Sequence, residues 1–352
     1  MPERISRELI FGNPERLSPK LSPDGRRLAF IAPDGDVLNL WEGPLDGKAV
    51  PLTKDRGRGI RSYIWAEDSK SLLYVQDKDG DENWHLYQAR LDGSPVRNLT
   101  PQPGVQAQLI ATDPKFPDQI LVALNARDPR LHDVYRIDLT SGDSRLVAEN
   151  PGAVTGWLAD AQLVPRAARS ARPDGGIDLL VRDSDSAPWR VFIGWGPDDQ
   201  GGAHGFTLDG QSLYVESSHE SDTTALYEMR LDGSSSKKLF QTEKADLGFV
   251  LLHPTEYRAE ALWVMEDRLR WTALDPALAP DFEALHEIGD CDFQLISRDN
   301  SDRNWIVLAI SDTRPPGYWR YDRATKKARF LFSSRPKLEG RKLASMKPVS
   351  FK

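Results

Sequence analysis

Ser22-Pro23-Asp24-Gly25, followed by the apolar run Leu28-Ala29-Phe30-Ile31, is the stretch from which the fold is read. Degenerate copies return at Ala66-Glu67-Asp68, Ala111-Thr112-Asp113, Leu158-Ala159-Asp160, Thr207-Leu208-Asp209-Gly210, His253-Pro254-Thr255 and Ser297-Arg298-Asp299. Measured at the third residue of each copy, the steps are 44, 45, 47, 49, 46 and 44 residues. A period near 45 with strand-like content is the signature of a β-propeller, one blade per repeat. The expectation is an all-β chain of seven four-stranded antiparallel blades.

The second repeat shows the pattern most fully. Ile64-Trp65 ends a first strand, Leu72-Leu73-Tyr74-Val75 is an apolar second strand expected to be buried on both faces, and residues 84–91 form a third. Asp92-Gly93 is a two-residue hairpin signal, and residues 96–99 make a fourth, outer strand. The fourth repeat is the weakest copy: its second strand is either 161–168 or 177–182, with the third placed at 189–195. In the sixth, residues 260–265 and 269–274 read as a hairpin around Glu266-Asp267. Trp41, Tyr87, Tyr135, Tyr227, Trp271 and Trp319 recur once per repeat, which suits packing between blades better than a ligand cage.

Loops after strands two and four of such a blade leave on one face, and loops after strands one and three on the other. The Asp-Gly and Pro-Asp-Gly turns are assigned to the second set. The first set holds the longer segments, among them residues 77–83, 125–132, 217–224 and 311–317. Contacts with other molecules are expected on that face.

The chain has 352 residues and a formal net charge of −7, which argues against a general affinity for nucleic acid or anionic lipid. The basic stretch Arg335, Lys337, Arg341, Lys342 and Lys347 lacks interleaved aromatics and reads as a solvated linker. Cys291 is the single cysteine, so no internal disulfide or thiolate cluster can form. There is no apolar run long enough for a membrane helix and no secretory signal at the start, so a cytoplasmic protein is expected.

Catalytic signatures are scarce. Gly-x-Ser-x-Gly does not occur; Gly210-Gln-Ser-Leu-Tyr214 is the nearest approach and lies in a strand-to-strand turn. Asp77-Lys78-Asp79-Gly80-Asp81 begins like a calcium loop, but its glycine comes at the fourth place and Gln88 occupies the twelfth. The six histidines show no paired spacing for zinc. No metal or other cofactor is expected. What remains is a polar cluster, Asp81, Glu82, Asn83, Trp84 and His85, with Arg127, Arg130 and His132 on the next blade. One reading is recognition of a peptide terminus, carboxylates for an amino group or arginines for a carboxylate. The other is a set of charged groups that pair across adjacent blades and hold the loops in place.

The whole chain resembles the N-terminal propeller of prolyl oligopeptidase family serine peptidases, the branch with acylaminoacyl peptidases and dipeptidyl aminopeptidases. The resemblance is carried by Phe11-Gly-Asn-Pro-Glu-Arg16, Ser22-Pro-Asp-Gly25 and, more specifically, Gln76-Asp-Lys-Asp-Gly-Asp-Glu-Asn-Trp-His-Leu-Tyr87. Arg127-Asp-Pro-Arg-Leu-His-Asp-Val-Tyr135 and Phe330-Leu-Phe-Ser-Ser-Arg-Pro-Lys-Leu-Glu-Gly340 extend it. It implies a non-catalytic domain that caps an α/β-hydrolase domain, admits only short peptides and contacts the substrate terminus. On that basis residues 1–16 are a lead-in, 17–337 the propeller, and 338–352 a linker with the opening strand of a hydrolase domain. The serine, aspartate and histidine would lie beyond Lys352, so this chain alone is expected to be inactive. The alternative is a free-standing propeller that binds proteins or peptides. Residues 8–11 are a candidate strand for closing the ring against the seventh blade.

Overall fold

The aspartates of the repeat close turns. In a computed structural model describing residues 4–351, Asp24, Asp68, Asp113, Asp160 and Asp209 each accept the backbone N–H of the residue two positions on, at 2.8–3.1 Å. This side-chain turn offers the backbone a partner where the chain reverses. The sixth copy substitutes His253, whose Nδ1 accepts from the amides of Thr255 and Glu256, and the seventh uses Asp299 with Arg303 and Asn304. Gly25 sits at φ +71°, and a Cβ there would come within 2.6 Å of Asp299 Oδ2. Only glycine meets both demands.

Each of the seven turns joins the first and second strands of its own antiparallel sheet, and the seven sheets form a seven-bladed β-propeller. Sheet one runs Leu17–Leu21, Arg27–Asp34, Val37–Pro44, Val50–Pro51, and sheet two Tyr63–Trp65, Ser71–Gln76, His85–Arg90, Arg97–Asn98. Sheet three is Ala107–Ala111, Gln119–Asp128, Leu131–Asp138, Ser144–Ala148, and sheet four Val154–Ala159, Pro165–Ala171, Ile177–Val181, Arg190–Trp195. Sheet five is Gly201–Phe206, Ser212–Ser217, Ala225–Arg230, Ser236–Phe240, and sheet seven Asp292–Arg298, Asn304–Ile310, Gly317–Asp322, Lys327–Ser333.

Sheet six has three strands, Leu247–Leu252, Ala259–Met265 and Leu269–Ala273, where the sequence pattern calls for four. Pro276 and Pro280 cannot donate to a ladder, and the chain instead enters a helix at Ala279–His286. Its Asp281, fully buried, accepts from Tyr321 Oη at 2.7 Å and from Arg323 Nε and Nη2 at 3.1 and 3.0 Å, and pairs with Lys326. Phe282 meets Phe293 at 5.9 Å. The helix thus belongs to sheet seven.

Three further expectations need correction. Residues 189–195 supply the fourth strand of sheet four, not the third, and 165–171 the second. The cause is Pro173-Asp174-Gly175, a tight turn with Arg172 N–H bonded to Gly176 O at 2.9 Å, which makes 177–181 the third strand. That turn, like Pro33-Asp34-Gly35 in sheet one, lies after a second strand, so Pro-Asp-Gly turns are not confined to one set of loops. Residues 8–11 lie in a short helix, Arg7–Phe11, whose N-cap Ser6 accepts from Leu9 N–H; they add no strand to sheet seven.

Two compact units divide the chain. The first contains sheets one and seven and the opening strands of sheet two. There Leu21, Leu28, Phe30 and Ile306 are buried together, with Trp41 and Phe332 against them. Leu21 N–H reaches Ser297 Oγ at 3.0 Å and Ser18 N–H reaches Tyr318 Oη at 3.2 Å. The first and last repeats therefore join by side-chain packing, hydrogen bonds and the ion pairs of Asp46 with Arg320 and Arg329. In the second unit, Leu121, Val134 and Leu163 bridge sheets three and four. Phe206 and Trp195 do so for four and five, and Tyr214 and Val250 for five and six. Second strands such as Ser212–Ser217 are buried nearly throughout because sheets cover both their faces. Of the recurring aromatics, Tyr227 is buried and the other five are half-buried on third strands. Among the described residues no helix is long and apolar enough to cross a membrane.

One tie in the second unit skips two sheets. Tyr257, in the first turn of sheet six and at φ +58°, donates its hydroxyl to Asp113 in the first turn of sheet three. Lys115 Nζ lies 5.8 Å from the centre of the Tyr257 ring. Asp113 is 2 % exposed, so removing the donor strands a buried carboxylate. Tyr257→Phe is expected to lower the unfolding free energy by about 1–3 kcal/mol in urea titrations. In the cycle with Asp113→Asn the two losses should overlap; simple additivity would mean that the tie contributes nothing.

Candidate functional site

The connection from Asp77 to Trp84 joins the second and third strands of sheet two. Its first part is fixed by Asp77, a buried carboxylate held by Arg58 Nε and Nη2 at 3.1 and 3.2 Å. Asp77 is therefore committed to a guanidinium and not to a cation site. Left-handed backbone follows at Asp79, Gly80 and Glu82, with φ of +56°, +86° and +57°. Glycine adopts this at no cost and aspartate at little, whereas a glutamate there is strained. The result is a tight loop that turns Asp81 and Glu82 outward, both exposed.

Asp81 accepts from Asn83 N–H and Nδ2, each at 3.1 Å. The Tyr87 phenol is raised above its ordinary pKa, by burial first and by the Asp81 charge second, which places the two groups within electrostatic reach. Glu82 makes no side-chain hydrogen bond or ion pair and presents its carboxylate to solvent. Behind them the loop is anchored: Ala107 N–H bonds to Trp84 O at 2.7 Å, and His85 Nδ1–H donates to Thr100 O at 2.6 Å. Asn83, Trp84 and His85 are half-buried.

The second predicted segment is less of a loop than expected. Strands Gln119–Asp128 and Leu131–Asp138 extend through most of residues 125–132, leaving a two-residue turn at Pro129-Arg130. The two segments are linked by residues that sequence reading did not single out. Gln106 Nε2 donates to Glu82 O at 3.1 Å, its backbone N–H donates to Asn125 Oδ1 at 2.6 Å, and Asn125 Nδ2 donates to Pro129 O at 3.1 Å. Gln106 lies in a Pro-Gly stretch with no pattern to mark it; Asn125 was visible only as a member of the longer loop.

The arginines are engaged. Arg127 clamps the fully buried Asp133 carboxylate through Nε and Nη2, both at 2.8 Å. Burial pushes the Asp133 carboxyl up, but the Arg127 fork and the Asn150 amide more than offset it, so it titrates below the usual carboxylate range. Arg130 pairs with Asp128 at 2.8 and 3.1 Å across the turn, which carries the Asp128 carboxyl down to about 2. Burial lowers the His132 pKa, opposed by the Asp133 charge, while its backbone oxygen accepts from Trp157 Nε1 at 3.0 Å. Arg127 and Arg130 are paired, but within their own hairpin and not across adjacent blades, and among the described residues the His132 ring joins no ion pair; Asp81 and Glu82 are exposed.

No protein-family model matches the chain. Curated relatives do. The chain is 38% identical over 351 residues to dipeptidyl aminopeptidase BIII of Pseudoxanthomonas mexicana, covering 99% of this chain and 51% of the relative. It is 24% identical to dipeptidyl peptidase family member 6 of Caenorhabditis elegans, covering 95% and 48%. The chain thus spans about half the length of the curated relatives it matches. Among solved structures, a Mycobacterium tuberculosis puromycin-hydrolyzing peptidase aligns with a TM-score of 0.64 at 16% identity, over 95% of this chain and 56% of that one. A prolyl endopeptidase aligns equally well, at 0.64 and 13% identity, over 91% and 50%. The homologues are dipeptidyl aminopeptidases, and the propeller has the fold shared with prolyl-oligopeptidase-type structures.

The Arg127–Asp133 clamp yields a pH prediction. A carboxyl with a depressed folded pKa stabilises the fold fully above the unfolded value of about 4, and that contribution is lost as pH falls through the folded value. Thermal melts of the parent chain should therefore lose stability below about pH 4 more steeply than those of Asp133→Asn, which is expected to be destabilised at pH 7. Parallel pH profiles for the two would show that the clamp carries no such energy.

Proposed function

We propose that the chain is the non-catalytic propeller half of a prolyl-oligopeptidase-type serine peptidase, working with an α/β-hydrolase half that carries the Ser-Asp-His machinery. The observation that carries this reading is the match of essentially the whole chain to half of a dipeptidyl aminopeptidase. In that arrangement residues 17–337 are the propeller and 338–352 lead toward the hydrolase. The propeller limits access to short peptides and contacts their amino terminus. A cytoplasmic setting accompanies this reading, consistent with a single, buried cysteine, Cys291, outside any disulfide.

Asp81 and Glu82 are the residues proposed to receive the peptide ammonium. Two carboxylates on consecutive residues can share the three N–H donors of a terminal ammonium, and charge assistance makes such bonds stronger than neutral ones. The left-handed Glu82 supports this, because strained backbone held in place by anchors such as Gln106 concentrates where a loop must present a group in one orientation.

The test uses a dipeptidyl p-nitroanilide. The purified chain is expected to release no p-nitroaniline, and fusion to the other half of the dipeptidyl aminopeptidase is expected to give turnover. Turnover by the chain alone, with a serine labelled by a fluorophosphonate, would refute the assignment. In the active fusion, Asp81→Asn with Glu82→Gln should raise KM about tenfold with little change in kcat. An N-acetylated substrate should be indifferent to the change; equal effects on both substrates would remove the ammonium role.

A further inference from the structure

At the seam of sheets one and seven the outer strand of sheet one, Val50–Pro51, is two residues long. It leaves the seam uncovered at its outer edge, where a groove of about 660 Å³ opens. Its apolar wall is made by Leu28, Phe30, Ala32, Trp41, Leu331 and Phe332. Phe30 and Phe332 pack 5.6 Å apart, and the guanidinium of Arg16 lies 5.4 Å from the centre of each ring.

The charges around this groove are unevenly satisfied. Asp46 accepts from Arg320 Nη1 at 3.0 and 3.1 Å and from Arg329 Nη2 at 2.6 Å, which holds its carboxyl below the usual range against the opposing effect of burial. Glu15 faces Lys337 at 3.9 Å. Both acids of the lining thus have cations of their own. Arg16 and Lys48 line the same groove, are exposed, and among the described residues their side chains have no carboxylate partner and no hydrogen bond. Arg16 is held in place by its two rings alone, with its five N–H donors unused.

We propose that this groove binds a small carboxylate amphiphile of the medium-chain fatty acid type. The carboxylate accepts from Arg16, with Lys48 adding charge, and the apolar tail runs along Phe30, Phe332 and Trp41. Charge complementarity selects the occupant: an apolar wall alone takes any greasy tail, whereas two unpaired cations at its rim favour an anionic head and disfavour a cationic one. The apolar tail supplies affinity by leaving water. The site is independent of Asp81 and Glu82, so it stands or falls separately from the peptidase assignment.

Isothermal titration with decanoate, decanol and decylammonium, each below its micelle concentration, tests this. Decanoate should bind about tenfold more tightly than decanol, and decylammonium not measurably. Arg16→Met keeps an aliphatic stem over the rings and should weaken decanoate roughly tenfold while leaving decanol unchanged. Lys48→Gln, on an exposed loop residue, should weaken decanoate alone and to a smaller extent. Equal binding of decanoate and decanol, indifference to Arg16→Met in a variant with the parent melting temperature, or no heat with any of the three would overturn the proposal. So would sedimentation showing a dimer that decanoate dissociates, because the groove would then be the seat of a second copy.

Discussion

A carboxylate that accepts the amide hydrogen two residues further on is the interaction everything else in this chain presupposes. It sets the reversal between first and second strands in five of the seven repeats, and close variants do so in the other two. Because the reversal is fixed locally, the following apolar strand starts in the same register each time and lands between two neighbours. Burial on both faces then supplies the stabilisation that a lone antiparallel sheet cannot generate. Local polar chemistry sets the geometry, and the apolar wedges between sheets hold it.

This division explains what could be read from the sequence. The turns are legible because they need particular residue types, aspartate, proline and glycine, at particular places. The second strands are legible because both their faces are apolar. Outer strands are legible unevenly: residues 96–99 contain the observed Arg97–Asn98, whereas Val50–Pro51, two residues long, carries no pattern that marks it. Sheet four was misread because Pro173-Asp174-Gly175 has the composition of a first turn in the position of a second one. The helix Ala279–His286 hid because its hydrogen bonds go to Tyr321, Arg323 and Lys326, some forty residues away in sequence.

The polar cluster shows a similar limit. Its residues were visible as an unusual density of charge, but the difference between a group that grips and one that is offered is set by partners far along the chain. Arg127 is closed by Asp133 within its own hairpin, and Asp77 by Arg58, nineteen residues earlier. Glu82 is offered because Gln106 holds its backbone and nothing holds its side chain. The chain is 38% identical to half of a dipeptidyl aminopeptidase, yet what separates the paired guanidinia from the exposed carboxylates is the pattern of hydrogen bonds.

The tie from Tyr257 to Asp113 has an evolutionary corollary. Propellers gain and lose blades by duplication and deletion of whole repeats, since each sheet meets only its neighbours. A side chain that reaches over two intervening sheets is indifferent to their sequence but not to their number. Adding or deleting one repeat between residues 113 and 257 would pull hydroxyl and carboxylate apart and leave the buried Asp113 with only the amide of its own turn. The phenol thus acts as a tally: a change in blade number would be costly even where every individual sheet would still fold.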